Sequence, residues 1–115
     1  MLAQKFRFHG YGSLRYLYKN GDAVRSHLIT LKYIANPRRK TSRFTVVVGK
    51  KVIKSAVKRN RIRRRVYEVV RLEEPTLKSG YDMALMVFSA EVYSLDHPSL
   101  VKLVKQLFSQ AGLYK

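Results

Sequence analysis

Residues Lys50–Arg71 read KKVIKSAVKRNRIRRRVYEVVR, and this stretch decides the fold class. From Ser55 to Arg71 its apolar residues recur with a helical period. At 100° per residue Ile62, Val66, Val69 and Val70 form one narrow stripe, Asn60, Arg61, Arg64 and Arg71 fall on the far side, and Lys58 and Arg59 flank the stripe. A helix with such a stripe needs an apolar surface to cover it. The flanking sequence supplies two. Phe44–Val48 is a compact β-branched run, read as a central strand that Gly49 ends. Tyr81–Phe88, after Pro75 and Gly80, is a second strand of buried type. Strand, helix, strand in this order predicts a parallel pair with a crossover helix.

Working outward, Ser13–Asn20 reads as a first helix, with Ser13 as its cap, Gly21 as its stop and Leu14, Leu17 and Tyr18 on one face. His27–Ala35 reads as a strand with Ile29, Leu31 and Tyr33 on one side and Leu28, Thr30, Lys32 and Ile34 on the other. Ala23–Arg25 is a candidate for a short strand before it. Asn36–Arg43, with Pro37, reads as an exposed basic loop. Pro98–Ala111 reads as the last helix, with Asp96 as its cap, Leu100, Leu103, Val104, Leu107 and Phe108 as its apolar face and Gly112 behind it. The expected order is α-β-β-α-β-α with a possible extra strand, a single α+β domain over residues 1–115.

Composition bounds the function. The chain has 115 residues, 24 Lys+Arg against 7 Asp+Glu, a net charge of +17 and no cysteine. Disulfides, thiolate nucleophiles and cysteine-based metal sites are excluded. No apolar run approaches the roughly 18 residues of a membrane span, and the opening MLAQKFRFHGYG lacks the apolar stretch of a signal peptide. A cytoplasmic protein with no membrane partner is expected. Fourteen basic residues against Glu68 alone lie between Asn36 and Arg71, so this segment carries +13 of the +17. So concentrated an excess marks a polyanion-binding face.

The arginine helix sharpens that reading. Arg59–Arg63 and Arg61–Arg65 are like-charged i,i+4 pairs, each costing a few tenths of a kcal/mol. Glu68 is the one acid placed to relieve them, by reaching Arg64 or Arg65. Phosphates would relieve the repulsion, and the planar guanidinium suits them. A solvated face ordinarily mixes signs. A membrane-surface helix would carry Trp or Phe on its stripe, and this one has neither. Arg59, at the edge of the stripe, has a second reading as an anchor of the helix to the sheet.

Lys50-Lys51, then Ala56-Val57-Lys58-Arg59-Asn60-Arg61-Ile62-Arg63-Arg64, with Glu68 and Arg71 behind, resembles the Arg-Asn-Arg signature of the bacterial ribonuclease P protein family. The resemblance runs from about Leu14 to Phe108. It implies a compact two-layer α/β sandwich, a four-stranded sheet with three helices, and a left-handed βαβ crossover where parallel crossovers are otherwise right-handed in about 98% of cases. It implies a ribonuclease P RNA partner that carries the chemistry with Mg²⁺ and a precursor tRNA substrate whose 5′ leader is removed; no obligate protein partner is evident in the sequence. By the same resemblance Lys50, Lys51, Lys58, Arg59, Asn60, Arg61, Arg63 and Arg64 contact RNA. Tyr18, Lys19, Tyr33, Val46 and Val48 are the candidates for a leader-binding cleft between the sheet and the first helix, where aromatic rings suit unpaired bases. The chain departs from the family pattern in three places: Leu14 stands where Phe is usual, Ile53 where many members have Gly, and His9-Gly10-Tyr11-Gly12 is unlike the usual basic lead-in.

Two other functions compete. A ribosomal or other structural RNA-binding protein would explain the charge equally well, and lacks only the signature and its strand context. An independent nuclease would need several convergent carboxylates. Glu73-Glu74 is the only adjacent acidic pair, and His9, His27 and His97 show no metal-ligand spacing. No catalytic residue is expected in this chain, and no metal site.

Overall fold

The computed structural model describes residues 11–115; the readings above of His9 and the opening stretch lie outside these. The elements are α1 (Tyr11–Asn20), β1 (Asp22–Arg25), β2 (Ile29–Ala35), β3 (Arg43–Val48), α2 (Ala56–Glu73), β4 (Tyr81–Val87), α3 (Glu91–Ser94) and α4 (His97–Gln110), with a 3₁₀ turn at Glu74–Thr76. The four strands lie in the order β1-β2-β4-β3. β3 and β4 are parallel and joined through α2; the other neighbours are antiparallel.

The register sorts side chains onto two faces. Ile29 and Leu31 of β2, Met83, Leu85 and Val87 of β4, and Phe44, Val46 and Val48 of β3 share one face. They form the main core with Ile62, Val66, Val69 and Val70 of α2 and Leu100, Val104, Leu107 and Phe108 of α4. Each of these large side chains contributes roughly 1.5–3 kcal/mol on burial. On the other face α1 packs on β2 and β4, with Leu17 and Ala84 fully buried and Leu14, Tyr18, Ile34 and Met86 around them.

Three expectations change. β3 is an edge strand, and β2 and β4 are the inner ones. Burial alternates along β3, because α2 covers one face and the other stays partly open; the three consecutive valines Val46–Val48 concealed this alternation. α1 begins at Tyr11, so Ser13 lies inside the first turn and is not the cap. A one-turn helix, α3, is added to the three that were expected.

Local chemistry sets the boundaries. A Cβ on Gly21 would lie 2.6 Å from the Leu17 carbonyl oxygen and 3.0 Å from that of Tyr33, so only glycine lets the chain pass from α1 into β1 here. Ser55 caps α2 by accepting from the Lys58 amide, and Asp96 caps α4 by accepting from the Ser99 amide. α4 ends in a Schellman motif. Gly112 (φ +70°) donates to Ser109 and Leu113 donates to Phe108, at 3.0 and 3.1 Å. The tail returns to the 3₁₀ turn: Lys78 donates to the Leu113 carbonyl, and Lys115 to that of Thr76.

Candidate nucleic-acid interface

The basic surface starts in the turn after β3. Val52 and Ile53 both donate to the Gly49 carbonyl, which leaves Lys50 and Lys51 exposed. Ile53 is buried in the main core, and among the described residues no non-glycine residue has a positive φ, so this turn has no need of a glycine at that position. Along α2, Lys58, Asn60, Arg61 and Arg64 are exposed and Arg63 is half-buried, its guanidinium donating to the Asn60 side-chain oxygen.

Three arginines of the segment serve the fold. Arg59 is only 9% exposed, and its Nη1 donates to the carbonyls of Ile53 (2.9 Å) and Lys54 (2.7 Å). The geometry favours the second of its two readings, an anchor within the fold, over a place on the exposed basic face. The position flanks the apolar stripe, so the helix draws the guanidinium inward and spends it on the turn. Arg65 donates through Nη2 to the Leu95 carbonyl at 2.6 Å and through Nη1 to that of Val92 at 3.2 Å, fastening α3 to α2. Arg71 engages Glu68 at 2.5 Å. The acid expected to reach Arg64 or Arg65 is thus held by the arginine three residues on, which also keeps its carboxyl below the usual carboxylate range. Among the described residues no carboxylate forms an ion pair with Lys58, Arg61 or Arg64.

The sheet face under α1 is the second surface. Tyr18 lies there, half-buried, its phenol pushed up by burial. Lys32 donates to the Tyr18 carbonyl at 2.8 Å, with its ammonium 5.6 Å from the Tyr18 ring centroid. Lys19 is exposed on α1. Thr45, across β4 from Lys32, and Val47, across it from Thr30, are half-buried. Tyr33, Val46 and Val48 sit on the opposite face. Val46 and Val48 are 4% and 5% exposed in the main core, and Tyr33 packs at its margin. They share parity with Phe44 and Ile29, and these large apolar residues take the covered side. The residues missed on the open face are Lys32, Thr45, Val47 and Met86. Their signal was the opposite parity, already visible in Thr30, Lys32 and Ile34.

At one end of this face the loop between β2 and β3 presents Arg38, Arg39 and Lys40, all exposed. Asn36 holds it, donating its amide N–H to Gly80 and its side-chain nitrogen to Asp82.

The carboxylates are dispersed. Among the described residues no group of three His, Asp or Glu could hold a metal ion. Asp82 is paired with Arg43, Glu68 with Arg71, Asp96 accepts from Ser99, and Glu73 accepts from the Tyr114 hydroxyl. The described residues therefore do not fit a Mg²⁺ site of their own.

Comparison with known proteins agrees over nearly the full length. The family model described as Ribonuclease P matches residues 2–112. The ribonuclease P protein component of Clostridium kluyveri is 35% identical over 112 residues, spanning 96% of this chain and 97% of that protein. That of Synechocystis is 27% identical over 112 residues, spanning 97% and 90%. The solved RNase P protein of Staphylococcus aureus superposes with a TM-score of 0.86 at 17% identity, covering 96% of this chain and 98% of that one. The RNase P protein of Thermotoga maritima gives 0.77 at 20% identity, covering 88% and 94%. At these identities the structural likeness shows the fold.

Proposed function

The chain belongs to the ribonuclease P protein family, a subunit of that ribonucleoprotein enzyme, and on this premise we propose that its two surfaces divide the work of RNA binding. The turn Lys50–Lys51 and the exposed side of α2, with Lys58, Asn60, Arg61, Arg63 and Arg64, bind the catalytic RNA through its phosphates. The open sheet face under α1, with Tyr18, Lys19, Lys32, Thr45 and Val47, receives the 5′ leader of precursor tRNA. Arg59 supports the first surface from within the fold. Tyr33, Val46 and Val48 are not part of the second.

The observation that carries this reading is the row of exposed cations on α2 that no carboxylate among the described residues neutralises. Phosphates placed there remove the repulsion along the helix and release counterions, so affinity falls steeply with salt. The leader surface is of a different kind, a ring and a lysine beside half-buried Thr45 and Val47, suited to a flexible single strand. Holding the leader favours precursor over product. Catalytic Mg²⁺ belongs with the RNA, in keeping with the dispersed carboxylates of this chain, and the assembly works in the cytoplasm.

The test adds the protein to a bacterial ribonuclease P RNA and precursor tRNA at low Mg²⁺. Enhanced release of the 5′ leader is the expected result. No enhancement would overturn the reading, and leader removal without any RNA subunit would favour an independent nuclease.

A further inference from the structure

We propose that Tyr93, on the one-turn α3, is a positioning residue of the RNA surface: its ring holds Lys58 and Arg61 together as a preformed site for an RNA phosphate. The proposal rests on the reading of α2 as the face that meets the RNA subunit, and extends that face onto a segment outside the arginine helix.

Three observations converge. The Lys58 ammonium lies 5.3 Å from the centroid of the Tyr93 ring, and the Arg61 guanidinium carbon lies 5.9 Å from it. Both cations therefore lie within the range in which a ring face attracts positive charge. Second, Tyr93 is fastened in place. Arg65 binds the Val92 and Leu95 carbonyls on either side of it, and Val92 is fully buried. Third, Lys58, Tyr93, Val52, Ala90 and Ser94 line one concave patch beside the Lys50–Lys51 turn.

The physical consequence concerns charge and entropy together. Lys58 and Arg61 are three residues apart on one helix, where like charges repel. Left alone, two long flexible side chains would separate into solvent. The ring attracts both cations and partly offsets their repulsion. What remains is a doubly positive site, restricted before binding, so that less side-chain entropy is lost when a phosphate arrives. A phosphodiester oxygen can then accept from the ammonium and the guanidinium at once.

The test measures affinity for a ribonuclease P RNA subunit at fixed salt. It uses the wild-type protein, Tyr93→Phe, Tyr93→Leu, Lys58→Gln/Arg61→Gln, and the last combined with Tyr93→Leu. Tyr93→Phe keeps the ring and is expected to bind within twofold of wild type. Tyr93→Leu is expected to lose about five- to tenfold, the scale of one or two exposed cation–π contacts. In the Lys58→Gln/Arg61→Gln background the same change is expected to lose less than twofold further. Wild-type affinity for Tyr93→Leu, or a full loss in the doubly substituted background, would overturn the proposal. Failure of the wild-type protein to bind the RNA would instead remove the functional reading beneath it. A measurement free of variants guards against misfolding of the leucine form. Side-chain protons of Lys58 and Arg61 are expected to be shifted upfield by the ring in the NMR spectrum of the free protein, and unshifted resonances would contradict the proposal.

Discussion

Arg43 and Asp82 stand in register across the parallel strands β3 and β4, joined by two hydrogen bonds of 2.9 and 2.8 Å, with their side chains only 11% and 8% exposed. Asn36 adds a third donor to the same carboxylate. The pair ties the edge strand β3 to its inner neighbour β4 where the basic loop ends, so it braces both the open sheet face and the loop Arg38–Lys40.

A buried guanidinium stripped of its carboxylate is costly, whereas removing both charges is much less so. Asp82→Ala is expected to lower unfolding free energy by about 3 kcal/mol. Arg43→Met/Asp82→Leu is expected to lose clearly less. Urea unfolding of both variants checks the order, and a larger loss in the double variant would contradict it.

Arg59 tests the line between fold and interface. Its Nη1 satisfies two carbonyls of the turn, and a hydrogen bond from a charged donor contributes roughly 1.5–3 kcal/mol. Arg59→Ala is expected to lose about 2 kcal/mol in thermal or urea unfolding. The salt dependence of RNA binding by its folded fraction is expected to match wild type.

On the open face, Lys32→Ala and Val47→Asp are expected to reduce the preference for precursor over mature tRNA, while affinity for the RNA subunit stays within about twofold. Val47 lies half-buried beside the proposed leader path, and an added carboxylate there would repel phosphates. Tyr33→Ala, on the opposite face, is expected to lower stability and leave the preference unchanged. Competition binding with the two tRNA forms measures the difference.

The tail carries a pH signature. The Tyr114 hydroxyl donates to Glu73 at 2.7 Å, and burial, then the carboxylate, pushes the phenol well above its ordinary value. The folded state thus favours the neutral phenol. Its contribution is complete below the unfolded value of about 10 and is lost as pH rises beyond it. At neutral pH Tyr114→Phe is expected to be about 1 kcal/mol less stable than wild type. That gap is expected to narrow above pH 10 in denaturant titrations; a gap constant through pH 11 would contradict the assignment.

The reach of the sequence can be followed residue by residue. Ile62, Val66, Val69 and Val70 were legible as the buried side of α2, because a helix presents its stripe at fixed angles and all four are fully or almost fully buried. The two faces of β2 were legible for the same geometric reason. The continuous run Phe44–Val48 was not. Val46, Val47 and Val48 are alike in composition, and which of them meets the open face depends on where α1 and α2 lie, a tertiary fact. Hence Val46 and Val48 read as cleft residues and Val47 was passed over. The partner of Glu68 was decided by side-chain reach along one helix, where Arg64, Arg65 and Arg71 all compete at allowed spacing. The aromatic contact of Tyr93 with Lys58 and Arg61 joins residues more than thirty positions apart, and no local pattern announces it.

The central claim is that exposed cations of α2 bind the RNA subunit through phosphates. Its most direct test is the affinity for that RNA as a function of salt, for wild type and for Arg61→Ala/Arg64→Ala. Each phosphate contact removed lowers the slope of log affinity against log salt by about one. The account predicts a weaker variant whose slope is shallower by about two. Parallel lines for the two proteins would contradict it.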